Sequence, residues 1–276
     1  AIAVLEQGAE PRQALRYQLE RGFEQKSKID VGFTLTAVVM TLALGDPNYE
    51  VTFHLTQRVE KVGRDGALRV AVSVDDATMH PDVLAGGKRA EQFQEALSAV
   101  KKSTGRYTMH PNGHVQDVEL DMAAKKASIR AHDMLDNLGW ALVQMTPVFP
   151  EEPLGQGAKW TVNRSVRQGG ILVNQLTTLE LMERDGSEVV VKTNARQTAE
   201  KQDFVAPGKV EEMSIVTMNG IGTGTLTWEL TQLAPRAAEI EANELKGVRH
   251  QVGPTGEKRE TQSAVGATRT LSITAD

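Results

Sequence analysis

Apolar and polar residues alternate with period two along most of this chain, the pattern of strands buried on one face. The cleanest case is Tyr49, Val51, Phe53, Leu55 and Val59 on one face against Glu50, Thr52, His54, Thr56 and Arg58 on the other. The same alternation predicts strands at residues 15–19 and 68–74. Another runs from Ile29 through Phe33 and Leu35 toward Val39 and Met40. A hairpin is predicted over 106–120, turning at Pro111-Asn-Gly113, and further turns at Gly45-Asp-Pro-Asn48 and Asp65-Gly66. In the second half a meander is predicted over 160–166, 171–183 and 188–197, with a loop at Ala206-Pro-Gly208. Strands at 210–218 and 225–233 follow, then a hairpin from 238 to 252 that turns at 253–256 and returns through Val265, Leu271 and Ile273.

Two stretches break the period. Pro81 and Gly86-Gly87 end the first run, and Phe93, Leu97 and Val100 at helical spacing predict a short helix over 90–102. Ala127, Ala131, Met134, Leu138, Leu142 and Met145 form one continuous stripe, which predicts a long amphipathic helix from Ala124 that Pro147 stops. Gly139 interrupts it at a cost of about 1 kcal/mol relative to Ala, a sign of close approach or a kink. Residues 146–160 read as an ordered connector rich in Pro, Gly and bulky apolar side chains. The expected fold is α+β and mostly β. A curved antiparallel sheet of about eleven strands forms an unclosed half-barrel, with the long and the short helix on its concave face. Long strands in one antiparallel sheet twist and coil, which favours that shape. Residues 1–13 read as a flexible leader or tether, and 14–276 as a single domain.

Composition narrows the function. In 276 residues the formal net charge is −5 with both signs interspersed, and aromatics are only 4%; neither an electropositive footprint nor base-stacking platforms are present, so nucleic acid is not an expected partner. Cysteine is absent, which excludes disulfides and thiol nucleophiles and argues against structural zinc and iron–sulfur sites. Two compartments fit: a cytosolic protein that lost its few cysteines, or the mature part of an exported bacterial protein whose only cysteine was a removed lipid-anchor site. The start at Ala1 reads as processing or trimming. The longest apolar run, residues 37–44, falls far short of the ~20 residues that span a bilayer.

Candidate chemistry is sparse. Gly220-Ile-Gly-Thr-Gly224 looks like a phosphate loop but lies between two predicted strands, so no helix N-terminus awaits an anion, and a bend or bulge is expected. Gly86-Gly-Lys-Arg89 reads as a helix entry. His110 and His114 flank one turn, and two ligands without a third make a weak metal site. Asp117, Glu119 and Asp121 alternate on one strand face, which reads as solvated. No Gly-x-Ser-x-Gly or His-Glu-x-x-His signature occurs. No cofactor, metal or catalytic residue is therefore expected. The helix stripe, with Phe149, Leu154 and Trp160, serves either as packed core or as the lining of a cavity, since both demand apolar side chains. Flexible Met134 and Met145 lean toward an adaptable cavity.

The strand count, the helix placement and the connector carrying Phe149-Pro150, Gly157 and Trp160 resemble the lipoprotein-carrier-like envelope proteins, the LolA/LolB and LppX/LprG-like group. The resemblance covers roughly residues 15–273. It implies an unclosed barrel whose concave side, lidded by helices, holds acyl chains. By position, the implied cavity residues are Phe33, Leu35, Phe53 and Leu55 of the wall, Met134, Leu138, Leu142 and Met145 of the lid, and Phe149, Trp160 and Trp228. The expected function is thus a non-enzymatic periplasmic or outer-membrane-anchored protein that carries a lipid or a lipoprotein's acyl chains. Membrane association would be peripheral, through a removed lipid anchor, and an envelope protein is a further expected partner. Two rivals stand beside it: an envelope interaction module with a solid core and no ligand, and a hydrolase with carboxylates dispersed over separate strands.

Overall fold

Every strand among the described residues pairs antiparallel into one sheet. The computed structural model describes all residues except 38–48, 80–86, 125, 169, 206–211, 251–260 and 275–276; for 35–37, 205, 212, 249–250, 261–264 and 274 it describes the backbone alone. The strands are β1 (Ile2–Glu6), β2 (Glu24–Ala37), β3 (Tyr49–Val62), β4 (Leu68–Met79), β5 (Thr104–Met109) and β6 (Val115–Asp121) in the first half. The second half holds β7 (Lys159–Gln168), β8 (Ile171–Asp185), β9 (Glu188–Ala199), β10 (Gln202–Val205), β11 (Glu212–Glu229), β12 (Ala237–His250) and β13 (Thr261–Thr274). The helices are α1 (Gly87–Val100) and α2 (Ile129–Gln144). The sheet is open and 13-stranded, in the order β1-β7-β8-β9-β11-β12-β13-β2-β3-β4-β5-β6, with β10 extending the edge of β11. The expected turns at 45–48 and 253–256, the loop at 206–208, the break at 81–86 and the strand extension to Val39 and Met40 lie outside the described residues.

One face of the sheet is covered. In β3 buried and less buried positions alternate from Tyr49 to Val59, as the period-two pattern demands. The main core joins these inward residues to the buried sides of both helices and to the connector. Leu138, Met134 and Met145 are 0% exposed. Strands far apart in the sheet order meet α2. Asn137 donates to the Tyr49 hydroxyl of β3 at 2.8 Å and accepts from Arg269 of β13 at 2.8 Å. Gln144 accepts from Arg164 of β7 at 3.1 Å. At the other end of the order, a Cβ placed on Gly139 would lie 3.6 Å from Leu120 of β6.

Four expectations need correction. Residues 1–13 are not a free leader: β1 pairs with β7 from Ile2↔Val162 to Glu6↔Lys159, and Gln13 bridges Leu154. β7 would otherwise present unpaired N–H and C=O groups there; the mostly exposed β1 carries little alternation to announce itself. Residues 15–19 form no ladder. Leu15 and Tyr17 are buried, but their segment bonds to separate loops, Tyr17 N–H to the Pro111 carbonyl and Gln18 N–H to the Leu230 carbonyl. α2 starts at Ile129, not Ala124, because Ser128 adopts an extended conformation and caps the Ala131 N–H. The Gly220–Gly224 run is neither loop nor bulge. It lies inside the single 18-residue β11, which pairs without interruption from Thr217 to Thr227. The sheet has 13 strands where about eleven were expected; β1 and β10 are among the additions.

Replacing Leu138 with Asp is expected to destabilise the fold by at least ~4 kcal/mol, because the carboxylate enters a dry, filled core. Loss of the cooperative urea transition measured by far-UV circular dichroism checks this.

Candidate functional site

Of the eleven residues expected to line a cavity, the ten whose side chains are described line neither of the two cavities that flank α2. Phe53, Leu55, Met134, Leu138, Leu142, Met145, Phe149, Trp160 and Trp228 are buried in the main core, and Phe33 packs half-buried against it. The side chain of Leu35 lies outside the described residues. Trp160 is anchored by its indole N–H, which donates to the Val148 carbonyl at 2.6 Å, and its ring lies 5.8 Å from that of Phe149. The space under the stripe is therefore occupied by protein.

Open space lies beside the stripe. A groove of about 270 Å³ runs along the flank of α2, with β6 on one side and the C-terminal half of β7 on the other. Val118, Leu120, Leu135, Trp140, Val143 and Val166 give it apolar walls, and His132, Asp136, Arg167 and Gln168 a polar margin. Gly139 forms its floor on the helix. A Cβ there would meet only Leu120 and Val118, at 3.6 and 4.0 Å, so the missing side chain leaves room and is not forced by a clash.

A second, smaller chamber of about 40 Å³ lies beneath the C-terminal half of α2 and shares Trp140 and Gln144 with the groove as a common wall. Its floor contains Ala195, Gly222 and Ala242, with Leu179, Leu226 and Ile240 around them. The small residues follow from the glycine run. At period two, Gly220, Gly222 and Gly224 share the face of β11 that carries buried Met218, Leu226 and Trp228. Gly224 also permits close packing, since a Cβ there would come 2.7 Å from Ile240. The Gly-x-Gly-x-Gly spacing was the available signal, and it denotes one strand face without side chains.

The same face carries a buried polar belt that periodicity did not reveal. Glu244 of β12 accepts from Arg269 and from Gln168 of β7, both at 2.5 Å, and Lys246 lies 2.8 Å from its other oxygen. The Arg269 guanidinium stands 5.4 Å from the Phe33 ring and 6.0 Å from that of Trp140. Further along, Gln144 and Gln175 exchange reciprocal amide bonds at 3.0 Å, and Gln197 donates to Gln175 at 3.1 Å. Arg164 joins this amide chain through one bond to Gln144. Its Nε and Nη1 are shut from solvent and meet no acceptor.

Electrostatics follow from burial. Burial pushes the Glu244 carboxyl up, but Arg269, Lys246 and the hydrogen bonds together outweigh it and hold the group down at about 2. Burial alone pulls the Arg164 guanidinium down to about 10. His114 is pulled below its ordinary value by burial and then by Arg164, and its ring stacks 5.8 Å from His110. Among the described residues no three His, Asp or Glu side chains assemble as metal ligands. Asp117, Glu119 and Asp121 are exposed, and Glu119 pairs with Arg106 at 2.5 Å. No helix among the described residues is long and apolar enough to cross a membrane. No protein-family model matches the chain, and no curated protein matches it.

The depressed Glu244 value makes acid sensitivity predictable. A carboxyl held below its ordinary 4.5 contributes stability that is complete above about 4.5 and is lost as pH falls through about 2. Glu244→Gln is expected to cost ~3 kcal/mol at neutral pH, since it strands Arg269 and Lys246, and to flatten that acid limb. Urea midpoints of both proteins between pH 7 and about 2 check this.

Proposed function

We propose that this is a non-enzymatic binding or carrier protein for a hydrophobic ligand, a lipid or acyl chain, of the bacterial cell envelope. The observation that carries the reading is the groove beside α2, walled by apolar side chains from β6, β7 and the helix. β6 ends the strand order and β7 stands next to its other end. Their meeting at one helix supports a sheet curled into an unclosed half-barrel, with the groove at its open seam. Each methylene buried there contributes about 0.8 kcal/mol, so a short alkyl segment supplies useful affinity without any catalytic group. In this reading α2 is a fixed wall, because its stripe is packed against the sheet, and the ligand lies along its flank. A periplasmic or outer-membrane-anchored location, with peripheral membrane attachment through a lipid anchor, fits the cysteine-free composition and belongs to the same proposal.

The filled interior favours a second reading, an envelope interaction module without ligand. The outer edge of β6 and the stretch of β7 beyond Asn163 lie open for strand addition by a partner.

Native mass spectrometry separates the two. The freshly purified protein is expected to carry a lipid-sized adduct that organic extraction removes. Gly139→Leu, which fills the groove and favours the helix by about 1 kcal/mol, is expected to fold with raised stability and to lose the adduct. A single ligand-free mass for the freshly purified wild type would defeat the carrier reading and leave the interaction module.

A further inference from the structure

Arg164 is a cation without a counter-charge among the described residues. It sits on the inward face of β7 and lines the chamber under α2. Its Nη2 donates to the Gln144 amide oxygen at 3.1 Å, and Gln175 draws on the same oxygen at 3.0 Å. Nε and Nη1 are buried without an acceptor. No ion pair joins Arg164 to a carboxylate among the described residues. A guanidinium in such a place is costly unless an anion completes it, and native proteins pair their buried charges. Elsewhere on the same sheet face Arg269 follows that rule with Glu244.

The space next to this cation is small and mostly apolar. About 40 Å³ is open, where a single water needs roughly 10–15 Å³, so a carboxylate fits. The planar fork of Arg that matches the two oxygens of a carboxylate pairs Nε with Nη2; Nε is free, and Nη2 comes free when it gives up the Gln144 amide oxygen. The chamber has one wall in common with the groove, at Trp140 and Gln144. One hydrogen bond, from Nη2 to the Gln144 amide oxygen, joins Gln144 to Arg164, and an entering carboxylate replaces it.

We infer that the chamber binds the carboxylate of a fatty-acid-like monocarboxylate, with Arg164 as its charge partner and the alkyl tail passing Gln144 into the groove beside α2. The inference rests on the groove being the ligand site and names the head group that it accepts. Gly222 and its small neighbours make the chamber, and Gln144 is the gate between the two spaces. Without ligand, Gln144 and Gln175 satisfy each other and the guanidinium makes do with one shared oxygen.

Octanoate and octan-1-ol, titrated into the delipidated protein by calorimetry, test the assignment. Octanoate is expected to bind at least tenfold more tightly than the alcohol and to raise Tm. R164M is expected to raise the ligand-free Tm by removing an unpaired buried charge. It should also weaken octanoate at least tenfold and leave octan-1-ol within twofold. G222V, whose Cβ meets Ala242 at 3.5 Å and Glu241 O at 3.3 Å, narrows the chamber with the guanidinium intact. It is expected to weaken octanoate at least tenfold, and it carries the test should R164M fail to fold. Equal binding of acid and alcohol, or R164M and G222V affinities for octanoate within twofold of wild type, overturns the carboxylate site and leaves the groove reading standing. Binding of neither probe overturns both.

Discussion

A 13-stranded open sheet has a long inner face to keep from water, and the described residues supply two helices for the task. That shortage of cover is the constraint on which the rest depends. α2 takes the centre with a stripe of Met134, Leu138 and Leu142 that is buried to the last side chain. The connector then folds Val148, Phe149 and Leu154 back onto the sheet, and Trp160 enters the core at the start of β7. Even the segment at Leu15 and Tyr17 is used as cover, held by bonds to two loops and not by a ladder. Hydrophobic burial of this kind is undirected and roughly proportional to area, so segments without regular structure serve as well as helices.

Where apolar cover runs out, the inner face becomes polar, and each polar group there must be satisfied from within. Glu244 does this for Arg269, Lys246 and Gln168 at once. Gln144, Gln175 and Gln197 do it for one another. The belt lies where the glycines of β11 remove three inward side chains. Space and polarity thus coincide, and the open volume beside α2 is amphipathic in place of the wholly apolar pocket that the stripe implied. Arg164, with two nitrogens lacking an acceptor among the described residues, is the least complete cation of the belt.

Much of the fold was legible because period two and period 3.6 are local properties. The alternation from Tyr49 to Val59 marked β3 and its buried face. The stripe marked α2, and the Asn-Gly and Asp-Gly pairs marked hairpin turns. The edge strand β1 was not legible. Its pairing answers an unsatisfied edge of β7, more than 150 residues away in sequence. The start of α2 was written in Ser128, which reads as a cap once the stripe is taken from Ile129. The site fared worse. Apolar side chains that pack a core and those that line a cavity obey the same pattern, so Phe53, Leu142 and Trp228 could not be told apart from a lining.

By itself the sequence determined an antiparallel, mostly β chain with one amphipathic helix and an ordered connector, because those features depend on residues close together along the backbone. Only the tertiary structure decided which polar residues on an inward face meet. Glu244 and Arg269 come from neighbouring strands, but Gln168, Asn137 and Arg164 reach the belt from elements remote in sequence. It also decided that Gly139 and Gly222 stand where space is left. The physical reason is that a cavity is the absence of contact between distant segments, and no local pattern records an absence.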